Sequence, residues 1–357
     1  MTLLSFQCRD FRCLRAASLE LDPRYNLIHG PNASGKTSLL EGIAYLGRGK
    51  SFRAAGTDRL LRQGTREFVL FGRVGAGGGE RALGVQNGAG GLQVSVDGDR
   101  GTSTAELAEL LPLQIVDPDV HDLVAGGPEE RRRYVDWMAF HVEQGFLRAW
   151  RRFRKALRQR NAALRDQAGG SMLAGWDREL AVAGRELHDL RARTLALAYP
   201  VLARTAKALL GDGIGFEYRA GWPDGEDLEE TLGRARERDR LSGSTQEGPH
   251  RADLRLSHDE RQARKRVSRG QEKLLACSMI LAATEVVQGE LGRPLLLLLD
   301  DPAAELDAGS LDRLMAAVAA LDCQVIATAL RADTALFPVP PRRFHVEQGV
   351  ISPVQDR

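Results

Sequence analysis

The sequence is poor in cysteine, the residue on which disulfide frameworks and most structural zinc sites depend. Its 357 residues include four cysteines, none in a Cys-x-x-Cys spacing and none beside a histidine cluster: Cys8, Cys13, Cys277 and Cys323. A zinc site or a disulfide framework is therefore not expected. The amino terminus also lacks a basic segment followed by a long apolar run, so we expect no secretory signal.

A charge excess of one sign and long hydrophobic runs are also missing. The chain carries 50 basic and 48 acidic residues, a net charge of +2, so any surface that attracts polyanions has to be local. The longest aliphatic run, Leu295–Leu299, is far too short to cross a membrane. Because 43% of the residues are hydrophobic, the chain can form a packed core. These features predict a folded cytoplasmic protein.

The pattern of apolar residues divides the chain into three parts. The first part contains short strand-like segments separated by glycine-rich turns and interrupted by one apolar helix. From about Gly127 to about Leu241, apolar residues recur at helical spacing. Strands and helices then alternate as in a parallel sheet. We therefore predict an α/β domain built from both chain ends, residues 1–112 and 242–357, with a mainly helical arm domain inserted at residues 113–241.

The strongest motif is GPNASGKT, which fits the phosphate-binding loop pattern G-x-x-x-x-G-K-[ST] and lies between a strand and a helix. The backbone N–H groups of such a loop and the helix N-terminus bind phosphate groups. We expect Lys36 to reach the β- and γ-phosphates of ATP, and the Thr37 hydroxyl to bind Mg²⁺. The residues expected to contact ATP are Gly30, Pro31, Asn32, Ala33, Ser34, Gly35, Lys36, Thr37 and Ser38.

A second motif, LLLLLDDPAAELD, is an apolar strand that ends in two carboxylates. This is the Walker B arrangement. We expect Asp300 to hold Mg²⁺ through its water shell, and Asp301 to orient or deprotonate the attacking water. Glu305 is the alternative base if Asp301 does not serve.

A third motif, S-x-G-Q, comprises Ser268, Gly270 and Gln271 at the start of a long apolar helix. It resembles the ABC signature, in which the helix N-terminus meets the γ-phosphate of ATP bound to the other subunit of a dimer. The resemblance implies that all three residues contact nucleotide and that Ser268 contributes to catalysis. A plain helix cap by Ser268 is the alternative interpretation. The three motifs together predict a P-loop ABC-type ATPase head.

The chain resembles the RecF family of bacterial recombination-mediator ATPases, which are small relatives of the SMC-type ABC heads. Beyond the N-terminal P-loop region, the resemblance rests on GKSFR at 49–53, GGPEERRRYVDW at 126–137 and TQEGPHRADL at 245–254, so it covers essentially the whole chain. It implies a slow Mg²⁺-dependent ATPase that forms an ATP-dependent homodimer and binds double-stranded, gapped or junction DNA, and also single-stranded DNA. It further implies action with RecR and RecO at single-strand gaps, where the family helps RecA to load.

Several positions depart from the common ABC pattern. Ala33 stands where many relatives have glycine, and Asp301 where many ABC proteins have glutamate, which is consistent with slow hydrolysis. Thr328 follows the strand at which many ABC ATPases place a histidine, so the residue that switches at the γ-phosphate is not assigned. Gln114 is the candidate for the Q-loop glutamine that binds Mg²⁺, and a surface glutamine at a strand start is the alternative.

Basic residues suggest further contacts. One run with no acid inside it comprises Arg148, Arg151, Arg152, Arg154, Lys155, Arg158, Arg160 and Arg165. It fits either a DNA backbone or the solvated face of an amphipathic helix. A second set, diluted by acids such as Glu260, comprises Arg255, Arg261, Arg264, Lys265 and Arg266. Arg12 is a candidate contact to the nucleotide phosphates, with a surface ion pair as the alternative.

Two other protein classes share part of this pattern. The nucleotide-binding subunit of a membrane transporter is the main alternative, but it would carry a histidine at the position of Thr328 and a compact helical subdomain in place of the long arm. A P-loop kinase of small molecules would have no use for the S-x-G-Q motif.

Overall fold

The structure, a computed structural model, describes residues 2–53, 56–76, 78–167, 169–259, 261–263, 268–332 and 336–354. The chain divides into two compact units. The first comprises Met1–Val120 and Gly292–Arg357, and the second comprises His121–Leu291. The first unit thus unites two distant parts of the chain, and the second is one continuous insertion between them.

One layer of the first unit is a six-stranded sheet. Its strands lie in the order β14 (Val350–Val354), β13 (Arg342–Glu347), β3 (Tyr25–His29), β12 (Gln324–Ala329), β11 (Leu296–Leu299) and β7 (Leu113–Val116). All neighbouring strands are parallel except β13 and β14, which form a hairpin. Every residue of β7, β11 and β12 is buried, as expected for parallel strands that are covered on both faces. The loops that follow β3, β11, β12 and β7 therefore meet at one edge of this sheet.

A second layer of the first unit is an antiparallel sheet. Its strands lie in the order β2 (Leu14–Glu20), β1 (Thr2–Phe11), β4 (Glu67–Ala76), β5 (Gly79–Gly88) and β6 (Gln93–Val96). Helix α1 (Lys36–Arg48) contacts strands of both sheets, and all nine of its residues from 39 to 47 are buried. This helix is thus held by apolar contacts on two sides. Helices α2 (Thr104–Leu110) and α9 (Ala308–Ala320) complete the unit.

The second unit is mainly helical. Its helices are α3 (Asp122–Ala125), α4 (Pro128–Val142), α5 (Phe146–Arg165), α6 (Gly170–Leu210), α7 (Leu228–Ser242) and α8 (Arg269–Leu291). The 41-residue helix α6 is central, because α4, α5, α7 and α8 all pack against it. A small antiparallel sheet contains β10 (Arg261–Gln262), β9 (Asp253–His258) and β8 (Ile214–Arg219). Among the described helices only α8 is long and apolar enough to cross a membrane, and 72% of its apolar window is buried inside the protein.

The observed units differ from the predicted segments at both boundaries. Residues 113–116 form β7 and pair with β11, so this part of the predicted arm belongs to the sheet of the first unit. Residues 242–291 belong to the second unit, although the sequence pattern assigned them to the ATPase domain. The physical reason is that α8 packs along α6, a long-range contact that the local alternation of strands and helices does not reveal.

Two segments that carry the family resemblance contact each other within the second unit. Arg131, in the GGPEERRRYVDW segment, donates two hydrogen bonds to the carboxylate of Asp253, at 2.8 and 3.2 Å. The neighbouring Arg132 donates to the carbonyl oxygen of Ala252 at 2.8 Å. The Tyr134 hydroxyl donates to the carbonyl oxygen of Met279 in α8 at 2.9 Å. These contacts give the two segments a structural role in holding α4, β9 and α8 together.

A buried ion network ties three helices of the second unit together. The fully buried Arg160 of α5 donates to Asp177 of α6 and to Asp239 of α7, each at 2.7 Å. It also donates to the Thr245 hydroxyl at 2.8 Å and to the carbonyl oxygen of Leu232 at 3.3 Å. Because these carboxylates are removed from water, their charges need compensation, which Arg160 supplies to both and which Arg236 also supplies to Asp177, at 2.5 Å.

Replacing Arg160 with alanine should destabilise the second unit strongly. Two buried carboxylates would lose a partner, so we expect the free energy of unfolding to fall by about 3–5 kcal/mol. Urea unfolding followed by tryptophan fluorescence measures this unit alone, because it contains all four tryptophans, Trp137, Trp150, Trp176 and Trp222.

The matched control is Arg185→Ala, which breaks an exposed ion pair with Asp227. This change should lower the free energy of unfolding by about 1 kcal/mol or less. If both variants lost the same free energy of unfolding, the buried network would not stabilise the second unit more than an exposed ion pair does, which would contradict its role.

Candidate nucleotide-binding site

The P-loop between β3 and α1 is shaped by close backbone contacts. The N–H of Gly30 donates to the carbonyl oxygen of Ala329 at 3.3 Å, and the N–H of Gly349 donates to the carbonyl oxygen of Ser34 at 2.8 Å. A Cβ atom at Gly30 would lie 2.1 Å from the carbonyl oxygen of Val346 in β13, which only glycine avoids. Contacts with β12 and with the β13–β14 hairpin therefore fix the backbone of the loop.

Lys36 places its ammonium group on this loop. Its Nζ atom donates to the carbonyl oxygens of Gly30, at 2.7 Å, and Pro31, at 2.9 Å. Burial lowers the pKa of Lys36, and the carboxylates of Asp301 and Asp300 oppose this shift. The ammonium group is thus part of a small charged cluster at the carboxyl edge of the sheet.

The two acidic residues after β11 are joined by Thr328. Asp300 is 4% exposed, and its carboxylate accepts hydrogen bonds from the hydroxyls of Thr37, at 3.1 Å, and Thr328, at 2.7 Å. The Thr328 hydroxyl in turn accepts a hydrogen bond from the N–H of Asp301 at 2.9 Å. Thr328, at the position where a histidine would be usual, therefore orients both residues of the acid pair.

These residues line an open cleft of about 340 Å³, a size that accepts a small ligand. The lining residues are Cys13, Asn32, Ala33, Ser34, Gly35, Lys36, Thr37, Ser38, Arg53, Pro118, Asp300, Asp301 and Thr328. The cleft thus brings together seven consecutive residues of the predicted P-loop and both carboxylates. Four lining residues were not among the predicted site residues: Cys13, Arg53, Pro118 and Thr328. Arg53 ends the GKSFR segment, and this exposed arginine could have been noticed there as a candidate phosphate contact.

Gln114 is not among the described residues that line this cleft. It is buried within β7 opposite Leu297, and β7 continues to Val116 opposite Leu299. Gln114 therefore lies three residues short of the level of Asp300, about 10 Å along the strand. The register instead brings Asp117 next to Asp300, and burial, together with Asp119, raises the pKa of Asp117 to about 6. The alternative was a surface glutamine at a strand start: Gln114 is the second residue of β7, as that interpretation expects, but it is buried and not on the surface.

Arg12 does not line the cleft either. Its guanidinium group donates two hydrogen bonds to the carboxylate of Glu41 in α1, at 2.6 and 2.7 Å. Glu41 is fully buried, so this is a largely enclosed ion pair that joins the end of β1 to α1. The ion-pair interpretation of Arg12 is therefore the one that the structure supports.

The S-x-G-Q motif lies in the second unit and begins α8. The N–H of Ser268 donates to the side-chain oxygen of Gln271 at 2.9 Å, and the N–H of Gln271 donates to the Ser268 hydroxyl at 3.4 Å. This reciprocal arrangement is a capping box. Both residues are exposed, and Gly270 between them is half-buried. The predicted helix cap is thus present, and the capped N-terminus is open to solvent.

The structure sorts the basic residues into paired and unpaired groups. Arg148 and Arg152 pair with Glu186, Arg152 also pairs with Glu179, and Arg160 is buried. In the second set, the side chains of Arg255 and Arg261 are exposed. The remaining members, Arg264, Lys265 and Arg266, lie outside the described residues, as does Glu260.

The chain is similar to known proteins over almost its whole length. The RecF/RecN/SMC N-terminal domain family matches residues 2–338. The chain is 40% identical to the DNA replication and repair protein RecF of Edwardsiella ictaluri over 99% of this chain and 100% of that protein. The chain belongs to the RecF family. The RecF protein of Erwinia tasmaniensis is 39% identical over 99% of both chains.

Solved structures agree with this assignment. A structure of the recombination mediator protein RecF-ATPrS in the RecFOR pathway is 25% identical, with a TM-score of 0.87, and covers 99% of this chain and 98% of that one. An Smc head bound to the C-winged helix domain of ScpA shares the fold at a TM-score of 0.62 and 15% identity, covering 99% and 97%. The prediction of an ABC-type ATPase head with an inserted helical part is confirmed. Membership of the ATP-binding RecF family does not favour the transporter alternative.

Substitutions at two small residues of the P-loop, Gly30 and Ala33, should affect ATP affinity differently. Gly30→Ala would force its Cβ against the carbonyl of Val346, so the loop must move, at a strain of about 1–3 kcal/mol. We expect the affinity for ATP, measured by isothermal titration calorimetry, to fall by about tenfold or more.

Ala33→Gly is the matched control, because Ala33 has a left-handed backbone with φ of 60° that glycine adopts without strain. Its affinity for ATP should stay within about fivefold of wild type. Wild-type affinity in Gly30→Ala would show that the contact with β13 does not fix the loop.

Proposed function

We propose that this protein is an ATP-controlled, DNA-binding recombination mediator that acts in the cytoplasm at single-strand gaps, with RecO and RecR, to help RecA load. The observation that carries the proposal is the cleft of the first unit, where a P-loop, a lysine and an acid pair converge. The names of its relatives, a DNA replication and repair protein and a recombination mediator of the RecFOR pathway, support the same function.

In this proposal the triphosphate of ATP lies along the P-loop. Backbone N–H groups of loop residues 32–38, at the start of α1, bind the phosphate oxygens. The Lys36 ammonium group leaves its two carbonyl partners for the β- and γ-phosphates, and the charge of Arg53 adds to the attraction.

The oxygen atoms of Thr37 and Asp300 fit a magnesium ion. They lie 3.1 Å apart beside the P-loop, and Mg²⁺ is commonly held by one or two protein oxygens together with substrate phosphates. When bound, Mg²⁺ neutralises developing charge on the phosphates. Asp301 orients the attacking water, and Thr328 holds the Asp300 carboxylate and the backbone N–H of Asp301 in place. The short side chain of Asp301 supports slow hydrolysis.

The main test is DNA binding with and without ATP. Filter binding should show that the full-length protein binds gapped duplex DNA more tightly with ATP and Mg²⁺ than without nucleotide. Lys36→Met removes the charge that binds the triphosphate, so its DNA affinity should not respond to ATP. DNA binding that is absent, or that is equal with and without ATP in wild type, would contradict the proposal and reopen the transporter alternative.

We further propose that two copies associate on ATP and that Ser268, Gly270 and Gln271 meet the nucleotide of the partner subunit. The exposed, capped N-terminus of the 23-residue helix α8 supports this, because helix N-termini attract anions. Contact across the dimer would require the Ser268 hydroxyl to turn from its cap towards the γ-phosphate.

Ser268→Arg tests the dimer. The added bulk and charge should block association, so light scattering with ATP should show monomers, while ATP binding to the monomer persists. Ser268→Asn preserves the helix cap and is the control for folding. A Ser268→Arg protein that dimerises like wild type would leave Ser268 with a capping role alone.

A further inference from the structure

Five cationic side chains share one exposed face of α5. Counting 100° per residue, they fall within an arc of about 100° and extend over about 21 Å of the helix. All five are exposed, and none forms an ion pair with a described residue: Arg151, Arg154, Lys155, Arg158 and Arg165. We call these five residues the α5 stripe.

The other three cations of this helix have structural partners. Arg148 and Arg152 face the acidic residues Glu179 and Glu186 of α6, and Arg160 is enclosed in the buried network. Lys155 is the stripe member nearest to this acidic flank, and its charge acts on Glu179, which already binds Arg152. Structural ion pairs therefore account for three of the eight cations and for none of the stripe.

The stripe also places like charges at the spacings that repel each other. Arg151, Arg154 and Arg158 stand three and four residues apart, and such pairs destabilise a helix by about 0.2–0.5 kcal/mol each. Folding alone does not favour this arrangement, whereas a polyanion bound along the face would relieve it. The guanidinium group of Arg154 lies 5.0 Å from the ring centre of Trp150, which restricts its orientation.

The chemistry of the stripe matches a chain of phosphates. Duplex DNA carries about one charge per 1.7 Å, so about twelve phosphates lie along 21 Å of its axis. Arginine presents paired donors that suit phosphate oxygens. Along α5, which is described throughout, no large apolar side chain is exposed, although a protein interface would bury such residues.

We propose that the α5 stripe binds the phosphate backbone of duplex DNA. This inference rests on the proposed function, and it assigns the duplex contact to the second unit. Because phosphates carry no sequence information, the contact is independent of base sequence. If the true partner of the α5 stripe were an acidic protein surface, substitutions in the stripe would leave DNA binding unchanged.

The experiment compares two triple variants of the full-length protein with ATP. The first is Arg151→Gln, Arg154→Gln and Arg158→Gln. The control is Arg178→Gln, Arg185→Gln and Arg193→Gln, which removes equal charge from three exposed arginines of α6 that pair with acids. Affinity for a labelled gapped duplex is measured between about 50 and 200 mM salt.

For the stripe variant, the slope of log affinity against log salt should become shallower by about 0.9 for each lost contact, about 2.7 in all. The control should keep the wild-type slope, and both variants should bind ATP like wild type. If the stripe variant does not fold, Arg158→Gln alone should reduce the slope by about 0.9.

Two failures are distinguishable. A stripe variant that keeps the wild-type slope, or that matches the control, would overturn the inference and leave the proposed function intact. A wild-type protein that does not bind DNA would overturn both.

Discussion

Parallel pairing of β3, β12 and β11 is the constraint on which the candidate site depends. Parallel strands end at the same edge of a sheet, so residues from distant parts of the chain meet there. Thr37 comes from the first 40 residues, whereas Asp300 and Thr328 lie more than 260 residues later, yet all three are joined by hydrogen bonds of 2.7–3.1 Å. A slip of one residue in the pairing of β12 would send the side chain of Thr328 to the other face of the sheet.

Motifs with a local mechanism could be predicted from the sequence. The P-loop lies between a strand and a helix as predicted, Tyr25–His29 and Lys36–Arg48. A glycine-rich turn between an apolar strand and an apolar helix is specified by adjacent residues. The apolar strand before Asp300 was predicted for the same reason. The cap at Ser268 likewise depends only on a residue three positions away.

The remaining features depend on contacts between distant residues. Whether Arg12 meets a phosphate or Glu41 is decided by the packing of β1 on α1. Gln114 has the side-chain amide that a Q-loop glutamine needs. Its register with β11, however, places it opposite Leu297, about 10 Å along the strand from the level of Asp300. The hydroxyl of Thr328 links the Asp300 carboxylate to the backbone N–H of Asp301 across neighbouring strands, a contact that no spacing along the chain indicates.

The contact between the P-loop and the β13–β14 hairpin has a consequence for synthesis of the protein. Ser34 and Gly349 are hydrogen-bonded but separated by more than 300 residues, and Val346 forms the wall behind Gly30. A ribosome has therefore to translate almost all of this sequence before the loop acquires its final shape. The nascent chain carries the complete GPNASGKT motif for most of its elongation. Until the hairpin pairs with β3, however, the motif lacks the contacts with Val346 and Gly349 that shape the loop for ATP.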